Sequence, residues 1–332
     1  MPRAAWIALA VFALLPLMGV GNYYLHLTIT IMLWAFIYTG WSLMGRFGLV
    51  SLGHGAFLGI GAYVTTMLWN HYGISPWLGI PIAVLLAVAV AVLIGYPCFR
   101  FRITGHYFAL VTLALTEVIR LIIVALRDFT GGSLGVTPNI GRVGGESFSM
   151  VALQFARKEV FFYIALVFWL LGLYIWRRID GSMMRYALEA VNQEEDAAAS
   201  VGINVTRTKL LITMLSAALT ALGGALYGQY QLYINPDTMG GIGVSLQIVF
   251  AVIAGGMFVQ LGPTVGAIFT LLLAEGLRVA VGNDVHGLDS TIYGLMLILF
   301  IIFMPNGILG KILELRARNR SKSGATSGAG AA

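Results

Sequence analysis

Four ionisable side chains interrupt otherwise apolar stretches of this sequence, and they form two copies of one pattern. Glu117 and Arg120 stand three residues apart, and Glu275 and Arg278 repeat the Glu-x-x-Arg spacing. Residues at i and i+3 share a helix face, so each carboxylate can neutralise its guanidinium. An unpaired charge at the centre of a bilayer costs about 3 kcal/mol or more. The pattern therefore indicates either ion pairs that fix a helical bundle or charged groups that line a solute path.

No motif for catalysis or for ATP hydrolysis occurs in the chain. The P-loop pattern G-x-x-x-x-G-K-[ST] is absent, and the one Gly-Lys pair, Gly310–Lys311, is followed by Ile312. A single cysteine, Cys98, excludes a disulfide framework and a zinc cluster, and the five histidines have no metal-ligand spacing. His54, between two glycines, is predicted to be a hydrogen-bonded packing residue. We expect a non-enzymatic chain without metal or cofactor, driven by an ion gradient or by a separate subunit.

The composition places these residues in a membrane protein. Of 332 residues, 59% are hydrophobic and 10% are charged, whereas soluble domains carry about 25% charged residues. The mean hydropathy is +0.87, so the apolar excess extends over the whole chain. The net charge of +6 comes from 20 Lys and Arg scattered among 14 acids, which excludes a basic nucleic-acid-binding face. The predicted fold is an all-α, polytopic membrane helical bundle.

Helices are the expected membrane-spanning element, because a helix satisfies its own backbone hydrogen bonds. About 20 apolar residues are needed for one crossing. The first run follows Arg3 but is long, contains Pro16 and has no cleavage site, so it is predicted to be an uncleaved helix. Ten candidate spans are found, at 4–20, 25–44, 50–69, 76–99, 106–126, 160–176, 210–228, 244–259, 263–281 and 290–304.

The positive-inside rule gives an independent check on that number. With the N-terminus in the cytoplasm and ten crossings, 14 of the 20 basic residues are cytoplasmic: Arg3, Arg46, Arg100, Arg102, Arg177, Arg178, Arg185, Arg207, Lys209, Lys311, Arg316, Arg318, Arg320 and Lys322. Four lie in one long outer loop: Arg127, Arg142, Arg157 and Lys158. The distribution favours an even number of spans, a multi-pass location in the bacterial inner membrane and two cytoplasmic termini.

This topology divides the chain into one membrane domain and a tail. We expect a single transmembrane domain over residues 1–312, with a long periplasmic loop at 127–158 and a polar cytoplasmic loop at 177–209. Residues 313–332 are basic and rich in Ser, Gly and Ala, and are predicted to be a disordered cytoplasmic tail.

Small residues recur at every fourth position in three spans, and such rows lie on one helix face. In a membrane, small residues allow the close backbone approach on which helix association depends. The rows indicate tight packing faces, or faces that slide around a pathway. Their glycines are Gly55, Gly59, Gly224, Gly228, Gly262 and Gly266.

The cytoplasmic loop 177–209 is predicted to contain a surface helix. Residues 185–200 are rich in good helix formers, and Gly202 supplies a stop at the C-terminal end. A short helix between two long spans can serve as a docking site for a cytoplasmic partner, or as a simple amphipathic connector.

Several segments resemble one transporter family. The segment 194–228 (EEDAAASVGINVTRTKLLITMLSAALTALGGALYG) resembles the ATPase-coupling loop and following helix of ABC-importer permeases of the branched-chain amino acid class. Segment 45–66 (GRFGLVSLGHGAFLGIGAYVTT) resembles that family's early glycine-rich helix. Segments 101–121 (FRITGHYFALVTLALTEVIRL) and 130–136 (TGGSLGV) resemble its LivM subfamily in particular. Later matches to the family are AGGMFVQLGPTVGA at 254–267, AEGLR at 274–278 and MPNGILG at 304–310. Their common order makes the chain similar to LivM-type permeases.

The resemblance implies a permease that works by alternating access, together with a second homologous permease, two cytoplasmic ATPase subunits that bind ATP, and a periplasmic amino-acid-binding protein. It also implies that the coupling loop contacts an ATPase through Glu189, Asp196, Ala197, Ala198 and Gly202. The outer loop would meet the binding protein. Two alternatives remain: an ion-coupled secondary transporter that acts alone, and an ABC permease for another small solute such as urea or an aromatic acid.

Overall fold

The fold, obtained as a computed structural model, is a bundle of helices. The structure describes residues 11–19, 21–140, 150–155, 157–281, 288–304 and 307–314. Its principal helices are α1 (Asn22–Gly45), α2 (His54–Tyr72), α3 (Pro76–Arg100), α4 (Gly105–Ala125), α5 (Lys158–Asp180), α6 (Met183–Gln193), α7 (Glu195–Ser200), α8 (Val205–Gln231), α9 (Pro236–Gly240), α10 (Ile242–Gly255), α11 (Gly262–Val281) and α12 (Leu288–Phe303). An isolated antiparallel bridge joins Val136 to Ile234.

The bundle has two ends with different contents. At one end, which we call the α6–α7 end, Arg46 after α1 contacts Asp180 at the end of α5. At the other, which we call the loop end, the Lys158 ammonium donates to the carbonyl of Asn22, and Trp69 donates to the carbonyl of Asn139. The described parts of the predicted outer loop 127–158 lie at the loop end, and the predicted cytoplasmic loop forms the α6–α7 end.

Helix α8 lies at the centre and packs against α1, α2 and α3. Its small residues let α2 approach closely. A side chain on Gly224 would collide with the backbone of Leu58, and one on Gly228 would press on Ala62. The predicted row of small residues on α8 therefore lies at a helix–helix contact. The short distance between the backbones of α8 and α2 explains why only small residues fit there.

The other two rows also lie where backbones meet. Gly59 faces Gly240 of α9, and Gly55 faces Ser245 of α10. In α11, Gly266 leaves no room for a side chain against Ala251 of α10, and Gly262 leaves none against the backbone of residue 256.

Two predicted spans differ from the helices observed. The span predicted at 50–69 begins at His54, because residues 46–53 leave the helical path and run into the bundle. The span predicted at 244–259 ends at Gly255, since Gly256 has a φ of +110° that ends the helix. Both predictions extended an apolar pattern through a glycine-rich bend.

The number of crossings stays a prediction. Among the described residues, six helices are long and apolar enough to cross a membrane, namely α1, α3, α4, α5, α8 and most of α11. Helix α10 is apolar but shorter. Part of the predicted first span, 4–20, lies outside the described residues; within the rest, Phe12 packs against Phe162 and Trp169 of α5. The predicted tail lies almost entirely outside them.

Candidate functional site

The element at the α6–α7 end consists of two helices. The sequence predicts one helix over 185–200, but Glu194 adopts an extended conformation, with φ of −156°, and divides it into α6 and α7. Helix α6 is amphipathic, with Leu188 and Val191 buried against the bundle. Gly202, with a φ of +93°, follows the end of α7. The helix therefore stops where the sequence predicts.

A first ionic contact ties this element to α1 and α5. Arg46 Nη1 lies 3.1 Å from Asp180 Oδ1, and Arg185 on α6 reaches the same oxygen at 3.4 Å. Only 5% of the Arg46 side chain is exposed, and its guanidinium lies 4.0 Å from the Trp176 ring. Burial lowers the pKa of the Arg46 guanidinium, while Asp180 acts in the opposite direction. Asp180, which contacts both arginines, thus joins the ends of α1 and α5 to α6.

A second contact ties α7 to α8. The Lys209 ammonium donates to the Glu195 carboxylate, and only 5% of the lysine side chain is exposed. The ammonium lies 5.8 Å from the ring of Phe99 at the end of α3. A third pair, Arg102 with Asp196, closes at 2.8 Å but is more than two-thirds exposed on both sides. A displacement of α7 would therefore act on α8 through the buried pair.

The predicted coupling residues occupy different faces of the element. Asp196, Ala197 and Gly202 are exposed. Glu189 accepts from Arg185 Nε at 2.7 Å, within α6, and this hydrogen bond raises the pKa of the Arg185 guanidinium. Ala198 is 3% exposed and packs into its own chain. Helix α7 turns Ala198 inward, and its predicted contact with another subunit stays a prediction.

A cavity of about 500 Å³ lies beside this element. It lies between the end of α6, the bend after α1 and the start of α4. Gly48 borders it with φ of +78°, and the Asn192 amide oxygen leaves no room there for a side chain. Further lining residues are Phe47, Thr104, Glu194, Glu195 and Lys209.

Inside the bundle, hydroxyl groups satisfy the irregular backbone before α2. The N–H of Leu52 donates to Thr112 Oγ1 at 3.0 Å, and Thr116 Oγ1 donates to the Leu52 carbonyl at 2.9 Å. The Ser245 hydroxyl of α10 accepts from the N–H of Gly55 at 2.9 Å. Non-helical backbone at membrane depth requires such partners. This polar centre joins the starts of α2 and α10 to α4.

His54 belongs to the same centre and is fully buried. Its Nε2 lies 2.7 Å from Ser216 Oγ, and that hydroxyl donates to the carbonyl of Gly40 at 2.7 Å. Because the serine proton is used, His54 Nε2–H is the donor. The histidine is thus a hydrogen-bonded packing residue that links α2, α8 and α1, as the sequence predicts.

The first Glu-x-x-Arg motif forms a closed ion pair with an additional partner. Arg120 Nη2 lies 2.5 Å from Glu117 Oε1, and Nε is within 3.1 Å of both Glu117 oxygens. Arg120 Nη1 also lies 3.1 Å from Asp237 Oδ1 of α9. The exposed side-chain fractions are 34% for Glu117, 26% for Arg120 and 69% for Asp237. The first motif thus forms an ion pair that stays partly exposed, mainly on the side of Asp237.

The second motif is arranged differently. Glu275 accepts a hydrogen bond from the Tyr23 hydroxyl at 2.9 Å. Within the described residues, no carboxylate lies within salt-bridge distance of Arg278, which is exposed. The predicted Glu275–Arg278 ion pair therefore does not form here, because Tyr23 of α1 supplies the carboxylate with another partner.

Three functional groups were not identified from the sequence. Asp237, Glu195 and Asp180 act through residues more than ten positions away, and no local pattern marks such pairs. The nearest signal in the sequence was the place of Lys209 among the basic residues predicted to be cytoplasmic. Among the residues that the structure describes, no group of three His, Cys, Asp or Glu side chains is placed to hold a metal ion.

Comparison with known proteins places this architecture in one family. Residues 23–304 match the family model described as "Branched-chain amino acid transport system / permease component". The LivM permease protein of Escherichia coli (strain K12) is 30% identical over 302 residues, which cover 86% of this chain and 68% of that protein. The chain spans about two-thirds of the length of the LivM relatives that it matches, 68% and 65%.

LivH-type permeases are also similar. The LivH protein of Escherichia coli (strain K12) is 27% identical, covering 84% of this chain and 91% of that protein. A probable LivH protein of Methanocaldococcus jannaschii is 25% identical, covering 77% and 81%. No solved structure matches the chain. The match over most of the chain, together with the multi-pass helical architecture, shows that this protein belongs to the branched-chain amino acid transport permease family and is LivM-like.

Proposed function

We propose that this chain is the permease subunit of an ATP-driven importer for branched-chain or related amino acids. It would pair with a second homologous permease, two cytoplasmic ATPase subunits that bind ATP, and a periplasmic amino-acid-binding protein. The family match supports transport, and it favours an ABC permease over a transporter that acts alone. The chain itself would carry no cofactor and no catalytic activity.

The observation that carries the proposal is the anchoring of α6 and α7. Asp180 at the end of α5 contacts both Arg46 after α1 and Arg185 on α6, and Glu195 on α7 contacts Lys209 on α8. A force applied to α6 and α7 from outside therefore acts on the ends of long helices instead of on a free loop. The Arg46 and Lys209 side chains are each 5% exposed, so they lie beneath the surface and leave the outer face free for a partner.

That outer face has the composition of a docking surface. Large apolar side chains project from it although it lies outside the predicted spans: Met183 is 82% exposed, Tyr186 62% and Val201 77%. Exposed apolar groups that are clustered and bordered by charges mark interaction sites. A cytoplasmic ATPase subunit would cover these side chains and push on α7.

The charge distribution supports the orientation. A large group of described basic residues belongs to segments at the α6–α7 end: Arg46, Arg100, Arg102, Arg177, Arg178, Arg185, Arg207 and Lys209. The loop end has Arg127, Arg157 and Lys158 in one long segment. By the positive-inside rule the α6–α7 end faces the cytoplasm of a bacterial inner membrane. Both termini would then be cytoplasmic.

Stepwise reconstitution tests the proposal. Proteoliposomes would contain this chain alone, then with the second permease, then with the ATPase subunits, and finally with the binding protein outside. We expect leucine uptake only in the complete assembly with ATP. Uptake by the lone chain under a proton or sodium gradient would instead establish an ion-coupled transporter. Competition by isoleucine, valine, urea and an aromatic acid then identifies the substrate class.

A substitution on α7 tests the docking surface. Ala197→Trp places a large side chain on the exposed face and should abolish ATP-driven uptake while leaving membrane insertion unchanged. Ala197→Ser is the matched control and should transport normally. Ala198→Trp, at the buried neighbour, should lower the thermal stability of the isolated chain. Normal uptake with Ala197→Trp would show that this face does not receive the ATPase.

A further inference from the structure

A buried arginine at the α6–α7 end leaves one of its hydrogen-bonding edges unused. The Arg46 side chain is 5% exposed, and its Nη1 contacts Asp180. Its Nε and Nη2 are buried and have no hydrogen-bond partner among the described residues. These two groups form one fork of the guanidinium, which matches the two oxygens of a carboxylate. A charged donor that is buried without an acceptor destabilises the state in which it occurs.

Arg120 shows how the same fork behaves when a carboxylate is within reach. Its Nε lies 3.0 Å from Glu117 Oε2 and its Nη2 lies 2.5 Å from Glu117 Oε1, so both donors are paired. That acid stands one helical turn away in the same helix. No Asp or Glu precedes Glu117 in the sequence, so a carboxylate for Arg46 must come from a distant segment of the chain.

A cavity of about 290 Å³ borders Arg46 and contains a second carboxylate. It is lined by the segment after α1, by Asp180 at the end of α5, by one side of α6 and by Phe258 of the turn between α10 and α11. Glu189 of α6 also lines it. Within the part of the chain that the structure describes, only Oε1 of Glu189 has a hydrogen-bond donor, Arg185 Nε at 2.7 Å. The cavity therefore brings an unpaired two-donor fork and an incompletely paired carboxylate to one space.

A short chain of contacts connects Arg46 to Glu189. Arg46 and Arg185 contact the same oxygen of Asp180, at 3.1 and 3.4 Å, and Arg185 contacts Glu189 at 2.7 Å. The Glu189 side chain is 42% exposed, so water hydrates its carboxylate when nothing covers the cavity. An ionised carboxylate that loses this water needs a charged donor in its place. The fork of Arg46 is an unused charged donor that lines the same cavity.

We propose that Glu189 turns onto the Nε–Nη2 fork of Arg46 when the ATPase subunit covers the cavity, and that this contact locks α6 to the end of α1. The inference rests on the proposed function and deepens it, because it states how docking fixes α6 to the bundle. Phe258 at the cavity and Tyr186 on α6 are each 62% exposed. A partner that buries these aromatic rings also excludes water from the carboxylate beside them. Arg46 and Glu189 are positioning residues, since they act by holding α6 in place.

A double-mutant cycle on ATPase binding tests the contact. The permease pair in lipid nanodiscs is titrated with its ATPase subunits, and their affinity is measured. Glu189→Gln removes the charge of the acceptor, whereas Arg46→Lys keeps the cationic charge and removes the fork. A contact that docking forms also favours docking, so each variant should weaken ATPase affinity by about fivefold to twentyfold. The double variant should bind no more weakly than either single variant, because both changes remove one contact.

The same cycle on the isolated chain is the control. There the contact has not formed, so the effects of the two variants on the melting temperature should add. Asp128→Asn, which changes an exposed acid at the loop end, should leave ATPase affinity unchanged. Additive losses of ATPase affinity overturn the contact, since an ordered water on Arg46 or a direct contact of Glu189 with the ATPase then explains them. Wild-type affinity in Glu189→Gln overturns it even where Arg46→Lys does not assemble. If the wild-type pair binds no ATPase subunit, the proposed function fails, and the Arg46–Glu189 contact fails with it.

Discussion

The ionic contacts at the α6–α7 end and those between α4 and α9 use the same residue types in opposite ways. At the α6–α7 end, the cations Arg46 and Lys209 are 5% exposed, and each has a carboxylate from another helix. Between α4 and α9, the Arg120 side chain is 26% exposed and its partner Asp237 is 69% exposed. The first set has buried cations, whereas the second has a partly exposed cation with a largely exposed partner.

This difference separates two roles for charge in one membrane protein. A buried pair resists relative movement, because separating it leaves an uncompensated charge in a poorly hydrated site. A partly exposed pair is hydrated, so separating its charges costs less. We infer that the α6–α7 contacts transmit force and that the α4–α9 contacts hold their helices less firmly.

The largest expected effect comes from Glu195→Gln. The change leaves the Lys209 ammonium without a counter-charge, and it should lower the free energy of unfolding by about 3 kcal/mol. Thermal unfolding in detergent measures it. The double variant Lys209→Met, Glu195→Leu should recover most of that loss, because apolar residues of similar volume often replace a buried pair without cost. An undiminished loss in the double variant would contradict the account of this contact as a simple buried pair.

Arg120→Gln is expected to cost less, although it leaves two carboxylates without their cation. Both acids are partly exposed, so water relieves part of the repulsion, and we expect a loss of about 1–2 kcal/mol. A loss equal to that of Glu195→Gln would mean that the α4–α9 surface is dry. The same thermal measurement in detergent, compared between the two variants, decides this point.

The two Glu-x-x-Arg motifs provide a smaller effect. Glu117→Gln weakens a pair with three contacts to Arg120, whereas Glu275→Gln alters one hydrogen bond to Tyr23. We therefore expect Glu117→Gln to lower thermal stability measurably more than Glu275→Gln, by up to about 1 kcal/mol. Equal values for the two variants would show that the shared spacing, and not the surroundings, controls these side chains.

The smallest effect is expected for Asp196→Asn, one position from Glu195. Its pair with Arg102 is more than two-thirds exposed on both sides, and exposed pairs contribute about 0–1 kcal/mol. Stability in detergent should change by less than about 0.5 kcal/mol. High salt should have no further effect on this variant and should weaken the wild-type pair, since screening acts on exposed charges. A loss comparable with that of Glu195→Gln would remove the distinction between the two neighbours.

Local regularities of the sequence predicted much of the fold. Apolar runs of about 20 residues correspond to α1, α3, α4, α5 and α8, because a crossing helix must be apolar along its length. The glycines of the four-residue rows lie at close helix contacts for a similarly local reason. The prediction was wrong where the path bends: the helix predicted from residue 50 begins at His54, and the helix predicted over 185–200 divides at Glu194.

The direction in which each residue of the candidate site faces could not be found in this way. Asp196 and Ala197 on α7 and Gly202 after it are exposed, but Ala198 faces inward. The face that a residue presents depends on where a short helix docks, and docking is decided by Leu188 and Val191 against the bundle. A six-residue helix carries too little periodicity to predict that.

The sequence by itself determined the class of molecule, the apolar spans, the close-packed glycine faces and the asymmetry of basic charge. Each of these depends on residue type and on spacing within one helix. Only the tertiary structure decided which charges meet. The Glu117–Arg120 pair contacts Asp237, and Lys209 contacts Glu195. Glu275 accepts a hydrogen bond from Tyr23 instead of pairing with Arg278. A charge takes the partner that packing brings within reach, and packing of distant segments is not recorded in local spacing.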